Sequence, residues 1–126
     1  MARWLVKQEP ETYSFANLVR DGETAWDGVK NPVAAKHLRA MRVGDEVFFY
    51  HTGKEKSVIG VAVVSKAADG EEPARLKAMR PLSTPVTLAS IKADERFAAW
   101  ELVRISRLSV MPVPDDVWVS VLALGP

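Results

Sequence analysis

The stretch EVFFYHTGKEKSVIGVAVVSK, residues 46–66, decides the fold class. Its two ends, 46–52 and 57–66, are rich in β-branched and aromatic residues, and Thr52-Gly53-Lys54-Glu55-Lys56 between them has the composition of a hairpin loop. Alternation along the first strand sends Phe49 to one face and Phe48 with Tyr50 to the other, so at least one of the three enters the core. Outward from this hairpin, RWLVK at 3–7 reads as a strand closed by Glu9-Pro10, because the residue before a proline is biased to extended geometry. Segments 74–82 and 104–112 read as further strands.

Short helices fill the gaps. Ser14 can cap one that stops at Gly22, and Thr24-Ala25-Trp26 is a brief extended piece before the turn Asp27-Gly28. Asn31-Pro32 opens a helix over roughly 32–42, ended by Gly44, with Val33, Ala34, His37, Leu38 and Met41 on one face and Lys36, Arg39 and Arg42 on the other. The run TLASIKADERFAAW reads as one or two short helical pieces with Asp94 as a second cap, and PDDVWVSVLALG closes with a helix. Short strands mixed irregularly with short helices predict an α+β fold, a strongly curved, mostly antiparallel sheet or open barrel with helices at its sides.

At 126 residues the chain has room for one core and is expected to form a single domain over 1–126. There is no cysteine, so neither a disulfide framework nor a zinc–thiolate cluster is available. The only early hydrophobic run, Trp4-Leu5-Val6, is far shorter than a signal-peptide core or a spanning helix. A cytoplasmic protein, monomeric and without a membrane partner, is expected. With a formal net charge of +1, affinity for nucleic acid has to come from local clusters of basic residues. No HExxH, Walker-type loop or G-x-S-x-G elbow occurs, and no metal or cofactor is expected.

The N-terminal strand raises a question of charge. A strand buried for packing alone rarely carries Lys7 and Glu9 at its end, since an unpaired charge in a low-dielectric interior is costly. Polar groups are wanted at this edge. Arg107 can hold a phosphate or pair with a carboxylate such as Glu9.

The motifs WLVKQEP (4–10), YS (13–14), WDGVKN (26–31), MRVGDEVFFYH (41–51) and RLSVMPV (107–113), in this order, resemble the EVE domain family of the PUA-like superfamily. The resemblance implies a PUA-like pseudo-barrel and a role in binding nucleic acid, with modified bases such as modified cytosine as the favoured target. Gln8 stands where the family usually has serine, Lys30 for arginine, Pro32 for an aromatic and Thr52 for serine. The stretch between Lys66 and Pro85 is short and lacks a tyrosine-rich loop that many members carry.

A base reader needs flat apolar faces for stacking and a few fixed polar groups for the base edge. Trp4, Trp26 and Tyr50 can supply faces; Lys7, Gln8, Glu9, Asn31, His51 and Ser109 can supply edges. The way these motifs converge in the family implies one concave pocket near Trp4, Lys7, Trp26, Asn31, Tyr50, His51 and Ser109. Trp4 and Trp26 can also be packing residues, His51 a satisfied structural histidine, and Asn31 reads first as a helix cap. Between Asp27 and Asp45 lie Lys30, Lys36, Arg39 and Arg42 with no acid, a stretch that can track phosphates, and Lys54 and Lys56 of the hairpin extend it. The partner expected is DNA or RNA carrying modified cytosine or adenine. Two other classes stay open: an RNA-cleaving enzyme of the ASCH type recruiting Lys7, Tyr50 or Thr52, and Arg107, and a protein-interaction module.

Overall fold

The computed structural model describes residues 1–126. Along the chain run β1 (Arg3–Gln8), α1 (Phe15–Asp21), β2 (Glu23–Ala25), α2 (Pro32–Ala40), β3 (Glu46–His51), β4 (Ser57–Lys66), β5 (Arg75–Thr87), α3 (Leu88–Lys92), α4 (Glu101–Arg104), β6 (Val110–Pro112) and α5 (Asp115–Leu124). The six strands form one sheet in the order β2-β5-β4-β3-β1-β6. β1 lies parallel to β3, Arg3 beside Glu46 through Gln8 beside His51, and every other pairing is antiparallel. The sheet is therefore mixed, with β1 inserted between the hairpin strand β3 and the short β6.

The sheet curls into a half-barrel because its longest pairing is irregular. The β4–β5 register shifts three times, between Val58 and Gly60, Val61 and Ala62, and Val64 and Lys66, and β3–β4 shifts once between Phe49 and Tyr50. Each shift bends the strand and adds right-handed twist. Gly60 lies against the first residue of α1: a Cβ there would lie 2.5 Å from the Phe15 ring. Phe15 fills the space a side chain would need.

Three expected boundaries move. β5 runs on to Thr87 through Pro81 and Pro85, although proline cannot donate to a sheet. The reason is position: β2 pairs only with residues 75–77 of β5, so the rest of the strand is an edge and its outward groups need no partner strand. The strand expected over 104–112 shrinks to Val110–Pro112, because Val103, Arg104 and Ile105 donate backbone N–H groups into the helical turn that starts at Trp100. The helix expected over roughly 32–42 and ended by Gly44 stops at Ala40 with Met41 as its cap, and Val33, expected on its inner face, is exposed, leaving Ala34, His37, Leu38 and Met41 on that side. The caps fall as expected, with Ser14 opening α1, Gly22 at φ 80° closing it, Asn31 opening α2 and Asp94 opening a single 3₁₀ turn.

A continuous apolar cluster of 31 buried residues joins both faces of the curled sheet to its helices. Alternation along β3 divides it. Phe48 stacks on Trp118 of α5 at 3.7 Å on one face, while Phe49 meets Phe15 and Trp26 edge-on, each at 5.5 Å, on the other.

Candidate functional site

Side chains paired across β1 and β3 share a face, so Trp4, Val6 and Gln8 lie with Val47, Phe49 and His51, and Leu5 and Lys7 lie with Phe48 and Tyr50. Two hollows open on the Phe49 face and meet at Trp26 and Asp27. One, of about 270 Å³, is bounded by Gly28, Val29, Leu38, Arg39 and the turn that carries Gly70 and Pro73. The other, of about 230 Å³, is bounded by Gln8, Tyr13 and Thr24. Trp26 is 5% exposed and lines both. Its backbone N–H donates to the carbonyl of Ala74 at 2.8 Å, which fixes it to the start of β5. Asp27 is exposed beside it and forms no ion pair, and Gly28 at φ 74° makes the turn that leaves the carboxylate at the junction of the hollows.

The single pocket implied by the family motifs is not formed. Trp26 and Tyr50 stand on opposite faces of the sheet and line different cavities. Trp4 is a packing residue: its indole Nε1–H donates to Asp45 Oδ2 at 3.0 Å, and its ring tilts against His37 at 5.8 Å. Burial lowers the pKa of that His37, in keeping with a structural place on the inner side of α2. His51 is also structural. Its Nε2 accepts the Phe15 backbone N–H at 3.0 Å, which leaves the ring proton on Nδ1, donated to Glu55 at 2.9 Å. The histidine thereby satisfies the first turn of α1 and closes the hairpin loop.

Asn31 caps α2 through Oδ1, accepting from Val33 and Ala34 at 2.9 and 3.0 Å, and lines neither hollow. Ser109 contributes its carbonyl, which accepts the Lys7 N–H at 2.9 Å. Arg107 and Glu9 are both exposed and form no ion pair with each other or with anything else, so the pairing weighed for them does not occur. Lys7 answers the charge question differently: its Nζ donates to the Ser106 carbonyl at 3.0 Å and stands 5.7 Å from the centre of the Tyr50 ring. Burial lowers the Lys7 pKa and pushes that of Tyr50 up to about 12.

The basic residues fall into two groups. Lys30, Lys36, Arg39 and Arg42 are all exposed on and around α2, and Arg39 walls the larger Trp26 hollow. Lys54 and Lys56 do not extend this stripe. They follow the far end of β3 from Arg42, a strand length of roughly 17–20 Å away. Of the residues an ASCH-type site would recruit, Lys7, Tyr50 and Thr52 line one cavity and Arg107 does not join them.

Asp27, Tyr13 and the turn around Gly70 are the lining residues that reading the sequence for function passes over. Asp27-Gly28 reads only as a turn when taken alone; what marks it is its place directly after a tryptophan in WDG, which puts a carboxylate beside an aromatic side chain. The turn around Gly70 reaches the hollow only through the fold, and no local signal announces it.

The curled mixed sheet with helices at its sides is a PUA-like pseudo-barrel. The chain belongs to the EVE domain family, whose model matches residues 2–124. Among solved structures, a protein of Rhodopseudomonas palustris shares 41% identity over 99% of this chain and 93% of its own, with a TM-score of 0.92. The human THYN1 protein, solved in complex with 5-methylcytosine containing DNA, shares 25% identity over 98% of this chain and 97% of its own, with a TM-score of 0.90. Human thymocyte nuclear protein 1 is 38% identical over an alignment 79 positions long that covers 53% of this chain and 35% of that protein, so the match spans about a third of the relative's length. An ASCH protein of Zymomonas mobilis, at 16% identity and a TM-score of 0.59, shares the fold alone.

Proposed function

We propose that this chain binds nucleic acid and reads a modified cytosine at the junction of hollows beside Trp26 and Asp27. The observation that carries the reading is the pairing of an aromatic side chain with an exposed, unpaired carboxylate at the mouth of a hollow walled by Arg39. An Asp oxygen accepts from the exocyclic amine of cytosine, and an aromatic ring gives the base a surface to rest against. The hollow of about 270 Å³ is near the lower end of the range for small-ligand pockets, about 300–1,000 Å³, as a single flipped base requires. Arg39, with Lys30, Lys36 and Arg42 around α2, supplies phosphate contacts next to it. The likeness over nearly the whole chain to a human protein solved with 5-methylcytosine containing DNA supports the same class of ligand here.

The test is a titration, at one stated low salt concentration, with DNA and RNA oligonucleotides that differ only in a single 5-methyl group on cytosine. Preference for the methylated strand without turnover is the expected result. Equal affinity for both strands, or cleavage of the RNA, would remove the reader function.

A further inference from the structure

The face opposite Trp26 carries a cavity of about 240 Å³ floored by Tyr50 and lined by Lys7, Lys56 and Lys92 together with the hydroxyl residues Thr52 and Ser106. No carboxylate lines it. A second cavity shares Lys56 and Lys92 with the first and adds Lys54 to the rim. The one acid there, Glu55, is engaged by His51 Nδ1 at 2.9 Å. None of the four lysines forms an ion pair; Lys66 is the only lysine that does.

The lysines are held at this place by the backbone. Lys56 has φ 41°, the only positive φ outside glycine, and its carbonyl accepts the Leu88 N–H at 2.7 Å, which docks the start of α3 against the hairpin loop and brings Lys92 to the same rim. The Thr52 N–H donates to the Gln8 carbonyl at 3.0 Å, tying the loop to the end of β1 beside Lys7. A β-unbranched side chain held in the left-handed region is an uncommon and costly conformation, and such residues gather at ligand sites. Like charges gathered on one rim with no counter-charge repel each other until an anion joins them.

The geometry points to this cavity as an anion site for a ligand bearing adjacent phosphate groups, separate from the base hollow and on the other side of the sheet. Ammonium groups from three segments of the chain surround it, with hydroxyl donors between them. The ligand is either a free di- or polyphosphate, as in a nucleotide, or neighbouring phosphates of a strand, and the shared chemistry is the same.

Calorimetric titration of the full chain with inorganic pyrophosphate and, separately, with unmodified oligothymidylate tests the site. The variant is Lys56→Gly combined with Lys92→Ala: glycine accepts the positive φ, and Lys92 is exposed at the end of α3, so the fold is spared. Pyrophosphate is expected to bind the parent chain, at least tenfold more weakly to the double variant, and unchanged to Lys77→Ala, which removes one exposed charge elsewhere. Competition of oligothymidylate with pyrophosphate assigns the site to a strand; pyrophosphate binding without that competition assigns it to free phosphates. Absence of pyrophosphate binding at low salt, or an equal loss in Lys77→Ala, overturns the proposal. Because pyrophosphate carries no base, that failure leaves the Trp26 reading standing, and loss of base preference leaves this site standing.

Discussion

The two faces of β3 differ in what they do with the same alternating strand. On the Phe49 face, His51 and Trp26 are locked by backbone and aromatic contacts, and the Asp27 carboxylate beside Trp26 is free, with Arg39 and Glu71 on the wall of the same hollow. On the Tyr50 face, the free groups are ammoniums, and the tyrosine beneath them resists ionisation until about pH 12. One face offers a carboxylate acceptor to a base edge; the other gathers ammonium and hydroxyl donors for an anion. A one-residue step along a strand is enough to separate the two chemistries, since successive side chains point to opposite sides.

The largest expected effect of breaking the first face is on folding. Trp26→Ala removes an indole packed edge-on against Phe49 and should cost about 3–5 kcal/mol of stability, read as a lowered denaturation midpoint. Unchanged stability would place Trp26 outside the core. Gly60→Ala comes next, because its methyl group would run into the ring of Phe15; overpacking of this kind costs about 1–3 kcal/mol. A chemical melt that matches the parent chain would show that α1 can shift away at no cost.

The extent to which the two faces were legible in the sequence depends on the range of the signal. Caps and turns that act within four residues, at Ser14, Gly22, Asn31 and Asp94, were readable because the capping side chain and the N–H it accepts are neighbours. So was the split of Phe48 and Tyr50 from Phe49. That same alternation already argued against a pocket shared by Tyr50 and His51, consecutive residues that a strand turns to opposite sides. Family motifs drew them together because sequence order hides the sheet lying between. The reach of β5 through Pro81 and Pro85 was not readable, since tolerance of those prolines depends on how far β2, some fifty residues earlier, extends alongside. Lys54 goes with α2 in the sequence because both are basic; their separation follows only from β3 running between them.

Sharpening the comparison from the second face uses pH. The folded pKa of Tyr50 is raised above its unfolded value by burial, so its contribution to stability is fully present below about pH 10 and is lost as pH rises through about 12. Phenolate absorbance of Tyr50, isolated by comparison with a Tyr13→Phe variant, should appear only at the upper end of that window, together with loss of near-ultraviolet dichroism. Ionisation near pH 10 with the fold intact would mean that the cavity floor is wet. The smallest effect is expected at α2: Arg39→Ala should weaken methylated and unmethylated strands alike and lower the salt slope by about one, leaving selectivity intact. A change in selectivity would move Arg39 from the backbone to the base.

The most direct measurement of the central claim compares the parent chain with Asp27→Asn, an exposed substitution that should leave the melt unchanged, in titrations against oligonucleotides with 5-methylcytosine or thymine at a single position. With Asp27 accepting from the cytosine amine, the parent chain should favour 5-methylcytosine over thymine, which carries the same methyl group but a carbonyl in place of the amine, and the variant should lose about 1–3 kcal/mol of that discrimination. Full retention of the preference for 5-methylcytosine over thymine in a folded Asp27→Asn variant would contradict a reading site on the Trp26 face.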